Sequence, residues 1–139
     1  MATPAMATPI LAPSLNTQMS MIGTLNVTVM NNQTPCYISF SGKITQMGTS
    51  TTPGEITFTS NPLIGCTGFS VQGPVILKTT FPTSWTFSQF KLNTPFGQCD
   101  FMNSTISYTN PTRKMYANTS AGICQNLLIE SEMGANVYF

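Results

Sequence analysis

The sequence predicts an all-β protein: an antiparallel β-sandwich or barrel-like fold of about eight short strands, with two disulfides and an extended N-terminal arm. Three observations predict it. Apolar and polar residues alternate in short runs, Pro- and Gly-containing turn signals separate these runs at near-regular spacing, and almost no stretch has helical periodicity. Thr suits strands because it is β-branched, and Ser and Asn suit turns, so the Ser/Thr/Asn-rich composition agrees with this fold class.

The first 31 residues are predicted to be an extended N-terminal arm, followed by a disulfide-linked β domain at 32–139. The tetrapeptide Met-Ala-Thr-Pro occurs twice, at 1–4 and 6–9, and Pro13 follows. Proline fixes φ and lacks a backbone N–H, so this spacing favours extended backbone and opposes a helix.

The end of the arm has the pattern of a strand. Leu25, Val27 and Val29 alternate with polar residues and would face one side. We expect residues 14–31 to be a donor strand that pairs with the open sheet edge of a neighbouring subunit, with these three side chains and Met21 at the subunit interface. The alternative is that the segment pairs within its own sheet, and the sequence favours neither.

The β domain is divided by turn signals such as Asn31–Pro35, Asn61-Pro62, Gly73-Pro74, Asn110-Pro111 and Ala121-Gly122. The apolar runs between such signals are the predicted strands. They are a strand carrying Cys36, Ile38 and Phe40, followed by 55–60, 69–81, 85–92, 101–108, 115–119 and 123–132, with a short terminal strand at 135–139.

The four cysteines, Cys36, Cys66, Cys99 and Cys124, indicate two disulfides and an oxidising compartment. No CxxC pair and no His occur, which argues against a zinc site. Four cysteines allow three pairings. We favour Cys36–Cys66 with Cys99–Cys124 because each closes a local loop, although the spacing leaves the other two pairings open.

Charged residues make up only 6% of the chain and the net charge is +1, against about 25% charged residues in typical soluble domains. Two adjacent cations, Arg113 and Lys114, do not form a basic patch, so nucleic acid is not an expected partner. Because the net charge is small, copies of the chain repel each other only weakly, which permits association with other copies.

No run of apolar residues is long enough for a transmembrane helix. Because no signal peptide opens the chain, we expect that it has been removed or left out.

The residues for catalysis are scarce, and we expect no enzyme and no cofactor. The absence of His excludes Ser-His-Asp and Cys-His constellations. Glu130 and Glu132 lie on one face of a predicted strand, where a solvated face explains them better than a glycosidase pair. Trp85 and Phe87 are the candidate ligand residues, since Trp can stack on a sugar ring, but core packing is the more common role of a single Trp.

Five segments of the chain form a recognisable pattern. They are Thr34-Pro35-Cys36, Gly65-Cys66, the segment from Pro82 to Trp85, Asn93-Thr94-Pro95-Phe96-Gly97-Gln98-Cys99, and Gly122-Ile123-Cys124. The pattern resembles the bacterial PraB-like family, called protein activators of alkane oxidation, over about residues 34–131. Trp85 does not directly follow Pro82, which departs from the family's Leu-Pro-Trp segment. The ending Tyr138-Phe139 is similar to the final strand of donor-strand pilins, a weaker resemblance.

The resemblance implies a secreted, all-β, non-enzymatic protein of the bacterial cell surface, linked to hydrophobic interaction and biofilm. With the low charge and the arm, it leads us to expect an extracellular structural protein that self-assembles into filaments or biofilm matrix by strand exchange between its own copies. The alternative is a monomeric secreted binding module for hydrophobic molecules or glycans.

Overall fold

The chain is an antiparallel β structure in a computed structural model that describes residues 15–48, 53–59, 62–79, 84–109 and 112–134. The described residues contain no helix and form nine strands. These are β1 (Gln18–Val29), β2 (Asn32–Gln46), β3 (Gly54–Thr59), β4 (Ser70–Thr79), β5 (Ser84–Thr94), β6 (Gly97–Asp100), β7 (Thr105–Thr109), β8 (Lys114–Ala121) and β9 (Cys124–Met133).

The strands form one sheet that closes on itself. Its order is β4-β3-β2-β1-β9-β8-β7-β5-β6, and β4 also pairs with β5. The closing pair makes β1, β2, β3, β4, β5, β7, β8 and β9 an eight-stranded antiparallel barrel, with β6 as one extra strand beside β5. The predicted all-β fold is therefore confirmed, in its barrel form.

The interior of the barrel follows the alternation of each strand. In β2, Cys36, Ile38 and Phe40 are buried, while Tyr37 and Ser39 are exposed. Each fully buried aliphatic or aromatic side chain of this kind contributes about 1.5–3 kcal/mol relative to its exposed state. Large aromatic side chains fill much of the interior: Phe40, Phe58, Trp85, Phe87, Phe90, Phe101 and Tyr108.

Two glycines allow β1 and β2 to come close to their neighbouring strands. A Cβ added at Gly23 would meet the carbonyl oxygen of Glu130 on β9, and one added at Gly42 would meet that of Thr57 on β3. Glycine is the residue that permits such a close backbone approach, and glycine kinks are a common source of curvature in barrels.

The β6 strand and the segment after it continue along one edge of β5. Gly97 to Asp100 pair with residues 91–94, at the end of β5. The amide of Phe101 then donates to the carbonyl of Phe90 (2.9 Å), and β7 pairs with the start of β5. β6 has no counterpart among the predicted strands, and the strand predicted at 101–108 begins only at Thr105, since residues 101–104 are irregular.

Both disulfides have the pairing that we favoured. Cys36 and Cys66 lie 5.2 Å apart at Cα, and Cys99 and Cys124 lie 6.1 Å apart. The second bond lies where two neighbouring strands of the barrel have stopped pairing. β7 and β8 pair only from Thr109–Lys114 to Ser107–Tyr116, and the rest of β8, beyond Tyr116, pairs only with β9. At that level, the bond between Cys99 and Cys124 links β6 to the start of β9.

The predicted N-terminal arm is only partly within the described residues. Residues 1–14 lie outside them, as does the predicted terminal strand at 135–139. The strand-like end of the arm is β1, which pairs with β2 on one side and β9 on the other within the same chain. Exchange of this strand between subunits stays a prediction.

Candidate functional site at the uncharged end of the barrel

The four predicted interface residues lie together inside the barrel. Met21, Leu25 and Val27 are fully buried, and Val29 is 2% exposed. They occupy the inward face of β1, which is the face that the alternation predicted. In this position they pack against the core of their own chain, and a neighbouring subunit would contact them only if β1 changed barrels.

The two candidate ligand residues are also in the interior. Trp85 and Phe87 are both fully buried. Trp85 stacks on Tyr108 with ring centroids 4.3 Å apart, and Phe87 meets Phe90 edge to face at 5.0 Å. These contacts are typical of core packing, and neither residue faces the surface where a ligand would arrive.

The exposed surface is divided by charge. The nine charged residues are Lys43, Glu55, Lys78, Lys91, Asp100, Arg113, Lys114, Glu130 and Glu132. The stretches 44–54, 79–90, 101–112 and 133–139 are uncharged, and so are four further runs, at 1–42, 56–77, 92–99 and 115–129. Each of these four runs contains one of the connections β1–β2, β3–β4, β5–β6 and β8–β9, and because the strands alternate in direction these connections meet at one end of the barrel. We call it the uncharged end.

Each connection of the uncharged end carries an exposed large apolar residue. These are Met30 on β1–β2, Ile64 on β3–β4, Phe96 on β5–β6 and Ile123 on β8–β9, with exposures of 61%, 63%, 58% and 41%. Tyr37, the β2 residue that pairs with Ile64, is 60% exposed. We refer to these five residues as the apolar rim. Single exposed apolar residues are ordinary, but their presence on every connection of an end without charge is not.

The β3–β4 connection is attached to β2 by covalent and hydrogen bonds. The disulfide Cys36–Cys66 fixes its middle. Next to it, the Tyr37 amide donates to the Ile64 carbonyl at 2.8 Å and the Ile64 amide donates back at 3.2 Å. Ile64 on the loop and Tyr37 on β2 are therefore held in a fixed register.

The β5–β6 turn is held by its own residues. The Thr94 hydroxyl donates to the carbonyl of Gly97 at 2.8 Å and accepts from the amide of Phe96 at 3.1 Å. On one side of this turn, a Cβ added at Gly68 would lie 2.9 Å from the Pro95 ring. On the other side, a Cβ added at Gly97 would lie 3.2 Å from the Ile123 side chain.

The β1–β2 turn is joined to β9. Its two residues, Met30 and Asn31, are both left-handed, with φ of 52° and 63°, as a two-residue hairpin turn requires when its twist matches the strands. The Asn31 amide donates to Oε1 of Gln125 at 2.7 Å, and Nε2 of Gln125 donates to Oδ1 of Asn31 at 3.1 Å. Every connection of the uncharged end thus contacts a neighbouring element.

The opposite half of the barrel carries most of the charges. Nη2 of Arg113 lies 3.0 Å from Oε1 of Glu132, with both side chains partly exposed. Glu130 is exposed on the same strand face, away from the interior. Among the described residues, no cluster of His, Cys, Asp and Glu could hold a metal ion, and no helix is long and apolar enough to cross a membrane. Asp100, Glu130 and Glu132 are exposed, and Glu55 is partly exposed.

The apolar rim was not among the predicted sites, although its signal is in the sequence. The four uncharged runs are visible there, and a turn signal lies within each. The sequence does not show that these four turns lie at the same end of the barrel. That follows only from the alternating strand directions of the closed sheet.

A family model described as "Alkane oxidation protein activator PraA/PraB-like" matches residues 1–134. The match includes the first 33 residues, which the motifs noted in the sequence do not cover. No curated protein and no solved structure matches the chain.

Proposed function

Since the chain belongs to the PraA/PraB-like family of alkane oxidation protein activators, we propose that it is an exported, non-enzymatic protein of the bacterial cell surface that contacts hydrophobic material through the uncharged end of its barrel. The observation that carries the proposal is the apolar rim: every connection at this end exposes a large apolar side chain, and the four connections contain none of the nine charged residues.

Physical chemistry favours this contact. Moving an exposed Phe, Ile or Met side chain out of water contributes about 1.5–3 kcal/mol. A charged group moved with it would oppose the transfer strongly. The barrel meets both conditions, because its apolar rim can enter an apolar phase while the Arg113–Glu132 half stays in water.

Secretion and the lack of an enzymatic activity are parts of the same proposal. Two disulfides are typical of proteins that fold in oxidising compartments. The core is filled by aromatic side chains, and the scattered acids have no His partner. An activator of this construction would act by binding and positioning hydrophobic material.

Adsorption to liquid alkane tests the proposal. The purified chain is shaken with a hexadecane-in-water emulsion, and the protein left in the aqueous phase is measured. We expect Phe96→Ser and Ile123→Ser each to lower the partition constant about tenfold. Ile22→Ser is the matched control, because Ile22 is 57% exposed on the outer wall of β1 and should change adsorption little. If all three variants lose adsorption to hexadecane equally, and their free energies of unfolding are unchanged, the proposal is overturned.

A second candidate function is structural: a subunit of filaments or of the biofilm matrix, built by strand exchange. The observation that favours it is the position of β1, which precedes Cys36 and so lies outside both disulfide loops. Electron microscopy of the full-length chain beside a version lacking residues 1–31 tests this. Filaments from the full-length chain alone are expected. If the truncated chain does not fold, a peptide of residues 14–31 should restore its fold. Monodisperse full-length particles at all concentrations would contradict the idea.

A further inference from the structure

We propose that the Met30–Asn31 turn is the hinge at which β1 leaves its own barrel and enters a second copy of this chain, between β2 and β9 of that copy, and that Gln125 is the latch that opposes this exchange. The inference rests on the second candidate function, self-assembly, and is independent of the contact with hydrophobic material.

The turn is strained at Met30. Its φ of 52° is left-handed, a conformation that glycine and asparagine tolerate and that is unfavourable for a side chain such as Met. If the hinge opens, β1 and β2 become one extended segment and Met30 returns to ordinary strand geometry. Short hinge loops under strain are a known route to exchange of elements between copies.

Exchange keeps the contacts of β1. Within the chain, β1 pairs with β2 from Gln18–Lys43 to Val29–Asn32, and with β9 from Met21–Met133 to Val29–Cys124. A second copy offers identical partners, so the same ladder and core contacts form between chains. The balance between the closed and exchanged forms is then set by the hinge, by the latch and by protein concentration.

The latch acts against opening. Asn31 and Gln125 exchange two hydrogen bonds, of 2.7 Å and 3.1 Å, across 94 positions of the chain. Both bonds depend on Asn31 being folded back over the start of β9. Opening the turn moves Asn31 away, so these bonds stabilise the closed form alone.

The covalent links select β1 as the strand that moves. Neither disulfide encloses it, and it is the first strand of the described residues. At the other end of the chain, β9 begins at Cys124, which is bonded to Cys99. That bond keeps β9 in its own barrel, where it remains an acceptor edge for an incoming β1.

Three variants with opposite expectations test the hinge and the latch. Each chain is refolded with its disulfides intact over a range of concentrations, and monomers and oligomers are separated and weighed by light scattering. Met30→Gly relieves the strain and should weaken association about tenfold. Gln125→Ala removes the latch and should strengthen association about fivefold. Gly122→Ala is the control: it introduces strain in the β8–β9 turn, where φ is +54°, and should leave association unchanged.

A deletion separates failure of the hinge from failure of exchange. Removing Met30 and Asn31 joins β1 directly to β2 and leaves no turn for a closed hairpin. Oligomers of this variant are expected. If they form while Met30→Gly and Gln125→Ala behave as the unaltered chain does, the hinge and latch assignments are wrong and exchange stands. If no chain, including Gln125→Ala, associates at any concentration, exchange itself is wrong and the hinge with it.

Discussion

Trp85 on β5 and Tyr108 on β7 stack inside the barrel with an interplanar angle of 14°. Both rings are buried, with exposures of 0% and 1%. β5 and β7 are paired here, with Trp85 opposite Ile106. The stack therefore joins two strands across the irregular segment at 101–104, and it assigns the single Trp to the core.

Replacing Trp85 by Ala is expected to lower the free energy of unfolding by about 3–5 kcal/mol, because it leaves a large cavity beside Tyr108. Trp85→Phe keeps a ring in the site and should cost less. Urea unfolding checks both. Any folded fraction of Trp85→Phe should adsorb to hexadecane as the unaltered chain does. A ten-fold loss of adsorption without a loss of stability would instead assign Trp85 to ligand binding.

The double variant Cys99→Ala and Cys124→Ala lacks the disulfide that joins β6 to β9. We expect its free energy of unfolding to be lower by about 2–4 kcal/mol. The expected reason is the larger freedom of the unfolded chain, together with loosening of β6 against β9. The comparison is the Cys36→Ala and Cys66→Ala double variant. A variant without the Cys99–Cys124 bond that unfolds at the same urea concentration as the unaltered chain would contradict the structural role of this bond.

Adding one methyl group at Gly42 is expected to destabilise the fold by about 1–3 kcal/mol or more. A Cβ at this position meets the carbonyl of Thr57 on the neighbouring strand, so β2 and β3 must separate. Thermal unfolding measures the change. The control is Ser41→Ala, an exposed neighbour for which we expect little effect. Equal stability of Gly42→Ala and Ser41→Ala would show that the close approach is not needed.

The hydroxyl of Ser131 is buried and has no hydrogen-bond partner among the described residues. Replacing Ser131 by Ala removes this polar group at little change in volume, so we expect a gain in the free energy of unfolding of about 1 kcal/mol. The exposed Ser107→Ala is the comparison, with no expected gain. A loss of stability in Ser131→Ala would mean that the hydroxyl is satisfied in solution.

The local part of the fold was accessible from the sequence. The alternation of Leu25, Val27 and Val29 predicted the inward face of β1 correctly, and the loop-closing argument gave both disulfide pairs. The choice between sandwich and barrel was not accessible, because it depends on β4–β5 and β1–β9 pairing. Side-chain alternation states which face of a strand is buried and does not state which strand lies beside it.

The candidate site shows the same limit. Turn residues such as Phe96 and Ile123 were noted in the sequence as parts of motifs, with no role of their own. Their shared surface exists only because the strands alternate in direction and the sheet closes. Trp85, a candidate ligand residue for which core packing was the more common expected role, is fully buried. Residue type alone does not give exposure.

Closure of the barrel depends on pairing between β1 and β9, the first and last of the described strands. The other neighbours in the ring are consecutive along the chain, except that β6 lies between β5 and β7 in the sequence. A chain that folds from its N-terminus onward can build most of the ring as neighbouring hairpins. Its first strand nevertheless keeps a bare edge until the last strand arrives, because that pairing spans nearly the whole chain. Between the folding of β1 and the arrival of β9, the folding chain therefore carries an unpaired strand edge, which is the position open to pairing with any other strand.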